Sequence, residues 1–97
     1  MPTPPDPLPD LRREIDAVNL ALRDLLQRRA RLVATIARTK RTRGLPIADP
    51  EREAAMLETL LDAPGAGFDR DTLAGLLRAV FAASRALAER TAAEPDR

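Results

Sequence analysis

Apolar residues in the first half of the chain recur as Leu11, Ile15, Val18, Leu22 and Leu25, then Leu32 and Ile36. Steps of four and three residues alternate, which draws a heptad stripe along one side of a helix. Asp10 stands before this stripe as the expected N-cap, and neither Pro nor Gly follows until Gly44. One helix is therefore predicted over 10–43, roughly 50 Å long at 1.5 Å per residue. Gly44-Leu45-Pro46 ends it. Asp49-Pro50-Glu51 then supplies an N-cap, a proline at the first helical position and an acid in the first turn of a second helix. Leu57, Leu60 and Leu61 form the inner face of that helix, and Pro64-Gly65-Ala66-Gly67 stops it. Asp69 caps a third helix, whose stripe is Leu73, Leu76, Leu77, Val80, Phe81, Ser84 and Leu87. No alternating strand pattern and no internal repeat is present. The expected fold is all-α: three helices, one long, one short and one medium.

The same pattern sets the organisation. Five prolines in residues 1–9 predict a disordered arm. A helical domain over 10–90 follows, with a polar tail over 91–97 expected to fray. Two short helices folded back on the long one leave part of its apolar stripe uncovered. A second long helix would cover it, so an intertwined homodimer is expected.

Composition narrows the chemistry. The 97 residues include no Cys and no His, which excludes a disulfide framework, a thiolate nucleophile, an imidazole base and a standard zinc site. With 16 basic and 15 acidic residues the net charge is +1, so the whole chain sends no polyanion-binding signal. The start of the chain is proline-rich rather than a signal peptide, and no apolar run approaches membrane-spanning length. A soluble cytoplasmic protein is expected, with no membrane partner.

Charge enters the picture where it interrupts the stripes. Arg29 falls between Leu25 and Leu32, where the heptad asks for an apolar residue. Lys40 follows eleven residues later, about 20° round the helix and some 16 Å along it. Ser84 sits in the apolar stripe of the third helix. A charge aimed at a core must be paired or must meet a polar ligand; snorkelling or an inter-helix ion pair is the bland alternative. Lys40 is the only lysine among the 16 basic residues, and lysine offers a compact point donor where arginine offers a planar fork. Residues 28–43 hold seven basic side chains and no acid. That patch is either a solvated face balanced by other helices or a site for a small polyanion. Nucleic acid is disfavoured, because two Phe are the only aromatic side chains available for stacking.

Leu11-Arg12-Arg13-Glu14-Ile15-Asp16, Leu25-Leu26-Gln27-Arg28-Arg29, Ile36-x-x-x-Lys40 and Ile47-x-Asp49-Pro50-Glu51-Arg52-Glu53, in this order and spacing, resemble the all-helical (type II) chorismate mutases. The resemblance covers about residues 10–88. It implies an entwined homodimer with two sites, each completed by a residue of the partner chain. Arg12 and Arg29 are seventeen residues apart, roughly 25 Å along one helix, and an antiparallel pair of chains would bring Arg12 of one to Arg29 of the other. By this resemblance, Arg12 (from the partner chain) and Arg29 bind the two carboxylates of chorismate. Lys40 reaches a carboxylate and the ether oxygen, and Asp49 and Glu53 lie near the ring hydroxyl. Arg52 shapes the site, and Ser84 meets a carboxylate. The implied reaction, chorismate to prephenate in aromatic amino acid biosynthesis, is pericyclic and calls for no cofactor, nucleophile, metal or base.

One position departs from the pattern. Four residues after Ser84 the family usually carries Gln, or sometimes Glu, as a second donor to the ether oxygen; this chain has Ala88. Loss of one preorganised donor costs on the order of 3 kcal/mol in transition-state stabilisation. The resemblance thus leaves several outcomes open. Activity is low alone and raised by another shikimate-pathway enzyme, or another group donates, or the substrate has changed. Relatives include an isochorismate-pyruvate lyase and a 4-amino-4-deoxychorismate mutase. A non-catalytic chorismate-binding module is the alternative outside the enzymes.

Overall fold

The computed structural model describes residues 1–63 and 65–95. Three α-helices and no strand occur among them: α1 (Leu8–Thr42), α2 (Pro50–Asp62) and α3 (Arg70–Ala93). The chain divides into two compact units, Met1–Arg31 and Leu32–Arg97.

The first unit is the N-terminal arm and the larger part of α1. The helix begins two residues before the predicted cap. The Leu8 amide donates to the Asp6 carboxylate at 3.0 Å, and the Leu11 amide bonds to the Pro7 carbonyl at 3.1 Å. Asp10 is therefore not the N-cap. It lies inside the first turn, where it favours the helix dipole and pairs with Arg13. Pro9 is tolerated there because a first-turn amide has no intrahelical acceptor.

The stripe of α1 behaves differently from a core seam. Leu11, Ile15, Val18, Leu22, Leu25, Leu32 and Ile36 are all exposed, at 53–61 %. The heptad is as predicted, and the exposure expected for part of it extends to all seven residues.

In the second unit the core consists of Ala37, Ala74, Phe81 and Thr91, the buried residues among those described. The end of α1 contributes Ala37, with Val33, Ala34, Lys40 and Arg41 half-buried. This face lies beside the heptad stripe rather than on it. Gly44, at φ +65°, closes α1 in a left-handed turn. Its amide donates to the Arg41 carbonyl at 3.1 Å and that of Leu45 to the Lys40 carbonyl at 2.8 Å, the paired bonds of a Schellman cap. Asp49 and Asp69 cap α2 and α3 as predicted, accepting from the Arg52 amide at 3.1 Å and the Thr72 amide at 2.7 Å. Helices α2 and α3 pack together; Leu57, Leu61, Leu73, Leu77 and Val80 are half-buried, while Leu60 and Leu76 stay exposed. Of the predicted stop after α2, Pro64 lies outside the described residues.

The predicted fraying from Thr91 is corrected. Helix α3 continues through Ala93 and Thr91 is only 3 % exposed. The Arg41 guanidinium explains this: its Nη1 donates to the carbonyls of Thr91 and Ala92 at 3.4 Å and of Glu94 at 2.5 Å. A cation satisfying orphan carbonyls at a helix C-terminus stabilises the last turn twice, by hydrogen bonding and through the dipole. Residues 96 and 97 of the predicted tail lie outside the described residues. No described helix is long and apolar enough to cross a membrane.

Candidate active site

The second unit holds a pocket of about 420 Å³ where the start of α2 faces α3. The Asp49 cap turns the chain so that Ala48, Asp49 and Pro50 form one rim. Glu53, Ala54 and Leu57 continue along the same face of α2, and Arg78, Phe81 and Arg85 form the α3 wall. On each helix the lining residues recur three and four apart, so each wall is a single helix face. Phe81, 5 % exposed, supplies the apolar floor.

Two carboxylates and two guanidiniums meet at this pocket. Arg85 Nη1 donates to Glu53 Oε1 in an ion pair. With side-chain exposures of 49 % for Arg85 and 31 % for Glu53, water screens the pair and its own contribution to stability is small. What it does is aim a guanidinium across the pocket. Asp49 lends one carboxylate oxygen to the Arg52 amide.

Of the candidate site residues named from the sequence, only Asp49 and Glu53 line the pocket. Lys40 is half-buried in the same unit, and its Nζ donates to the carbonyl of Ile47 at 3.2 Å, one residue before the rim at Ala48. Arg52 is exposed, one position off the lining face. The half-buried Ser84 turns its hydroxyl back to the Val80 carbonyl at 2.7 Å. Ala88 is half-buried and brings no polar group. In the first unit, Arg29 is half-buried and engaged with neighbours, whereas Arg12 is exposed. The sequence reading missed Arg78 and Arg85. Their signal was present, because both sit three or four residues from Phe81 in α3, but charges flanking an apolar stripe normally mark a solvated border. Among the described residues no three carboxylates gather as a metal site requires.

Comparison with known proteins places this geometry in context. The family model described as chorismate mutase type II matches residues 11–89. The T-protein of Haemophilus influenzae is 43 % identical over 72 residues, and that of Enterobacter agglomerans 44 % over 72. Each alignment takes in 73 % of this chain but spans only 19 % of the curated relative's length. Among solved structures, a chorismate mutase (form II) from Thermus thermophilus superposes with a TM-score of 0.82 at 39 % identity, covering 88 % of this chain and 97 % of that one. A chorismate mutase from Helicobacter pylori in complex with prephenate gives 0.80 at 34 % identity, covering 92 % and 97 %.

Proposed function

The chain belongs to the chorismate mutase type II family, and from that premise we infer that it rearranges chorismate to prephenate. The observation that carries this is the extent of the match: residues 11–89 contain Arg12, Arg29, Lys40, Asp49, Arg52, Glu53 and Ser84 in a single family pattern. The prephenate bound to the Helicobacter pylori relative supports the identity of the product.

The reaction suits these side chains. The ether C–O bond breaks while a C–C bond forms at the far end of the enolpyruvyl group, so no atom leaves and no proton is transferred. The protein has only to hold a dicarboxylate in its compact reactive conformer and to stabilise negative charge developing on the ether oxygen. Arg29 and a second copy's Arg12 grip the two carboxylates through their planar forks. Lys40 keeps donors beyond the one given to Ile47 and directs them at a carboxylate and the ether oxygen. Asp49 and Glu53 receive the ring hydroxyl, Arg52 shapes the surrounding wall, and Ser84 meets a carboxylate. The exposed α1 stripe supports an intertwined homodimer, because a second α1 laid on it removes that surface from water.

Ala88 favours a second reading, in which isochorismate or an amino-chorismate is the substrate or a shikimate-pathway enzyme must bind to raise the rate. The test is turnover by the purified protein with the product identified by chromatography. Prephenate is expected from chorismate, and Arg29→Ala and Lys40→Ala are each expected to lower kcat/KM on the order of a hundredfold or more with helix content unchanged. Conversion of isochorismate with chorismate untouched would replace this reading by the second.

A further inference from the structure

Resting on the chorismate reading, we propose that Arg85 is a catalytic residue that donates to the ether oxygen of the substrate, supplying from one turn earlier in α3 the donor that Ala88 lacks.

Four observations lead there. Arg85 lines the pocket together with Asp49 and Glu53, the two sequence-predicted residues that meet there. It is aimed inward by its pair with Glu53, across from α3 to the first turns of α2. That pair engages Nη1, whereas a guanidinium carries five N–H donors in a fixed planar fork, so donors remain for a ligand in the pocket. Finally, Arg85 and Ala88 are three residues apart in α3 and so occupy neighbouring positions on one helix face.

The chemistry fits a cation at this point. As the C–O bond breaks ahead of C–C bond formation, electron density accumulates on the departing oxygen and returns to the ring system when the new bond closes. A guanidinium held by Glu53 stabilises that transient charge without giving up a proton, because arginine stays protonated. Phe81, 5 % exposed, gives the α3 wall an apolar side, while the Arg85 side chain itself is half-exposed. Arg78 lines the same wall, but no described carboxylate orients it, so it is the less constrained of the two.

The test is a double-mutant cycle on the intact protein with chorismate as substrate. Arg85→Leu is expected to lower kcat by about a hundredfold with a smaller change in KM, as for loss of one transition-state donor. Ala88→Gln placed in the Arg85→Leu background is expected to recover at least about tenfold, because it restores a donor by the other route. Arg70→Leu serves as control. It removes the other described α2–α3 ion pair, Arg70 to Glu58 at 3.3 Å, and kcat is expected to stay at the parent value. If the parent turns over chorismate and Arg85→Leu does so equally well, the assignment is wrong while the family function stands. A loss that Ala88→Gln does not repair would make Arg85 a structural partner of Glu53 and likewise overturn the assignment. Absence of chorismate turnover by the parent would remove both.

Discussion

Asp69 shows how much one exposed carboxylate can do at the edge of a helix. It accepts from the Thr72 backbone amide, a bond made to the ionised form, and this holds its carboxyl below the ordinary aspartate range. A folded-state value lower than the unfolded one means that the stabilisation is complete above the ordinary range and disappears as pH falls through the lowered value. Asp69→Asn keeps an acceptor at the cap without its charge. The stability difference between parent and variant, followed by urea unfolding at stepped pH, is expected to be present at neutrality and to vanish in acid. A difference independent of pH would mean that the charge plays no part. Asp49 serves similarly as a cap, but its position at the pocket rim adds a second demand on the same carboxylate.

The element boundaries rest on backbone conformations as much as on side chains. Gly44 holds φ +65° with nothing within 4 Å of the position a Cβ would take, so alanine there meets no neighbour but must adopt a left-handed backbone. Gly75 lies inside α3 and is also open around its Cβ position, so alanine there only improves the helix. Opposite signs follow for one chemical change. Gly44→Ala is expected to lower stability by roughly 1–2 kcal/mol, and Gly75→Ala to raise it by about 1 kcal/mol. Thermal or urea midpoints check both, and equal shifts of one sign would contradict the cap geometry. The Arg41 clamp on the carbonyls of Thr91, Ala92 and Glu94 is the counterpart at the end of α3. It carries the helix past the point where its sequence turns polar.

At the scale of the assembled molecule, the proposed sharing of sites between two copies has a quantitative signature. Arg12→Ala and Arg29→Ala each damage both sites of a homodimer. When the two variants are mixed and allowed to exchange, a mixed dimer contains one site with both arginines intact and one with neither. Statistical exchange then restores about a quarter of the parent sites, read as chorismate turnover after mixing. No recovery, with mixed dimers demonstrated by differently tagged copies, would mean that Arg12 and Arg29 do not complete one site across two copies. The seven exposed stripe residues of α1 are the surface that the proposed dimer would bury.

Helix number, type and the caps at Asp49, Gly44 and Asp69 were legible in the sequence because they depend on residues within one turn of each other. A proline at the first helical position or a glycine after the last turn acts locally, whatever packs nearby. The family pattern was legible for the related reason that short motifs keep their spacing along a helix. Burial was not legible in the same way. Periodicity marks a stripe without saying what covers it: part of the Leu11–Ile36 stripe was expected to stay uncovered in one chain, and all seven of its residues are exposed. The pairs Glu53–Arg85 and Arg41–Thr91 join residues 32 and 50 apart in sequence. Such contacts arise only when helices have packed, and no local spacing encodes them. For that reason tertiary structure alone distinguishes Arg85, which faces the pocket, from an arginine on a solvated border.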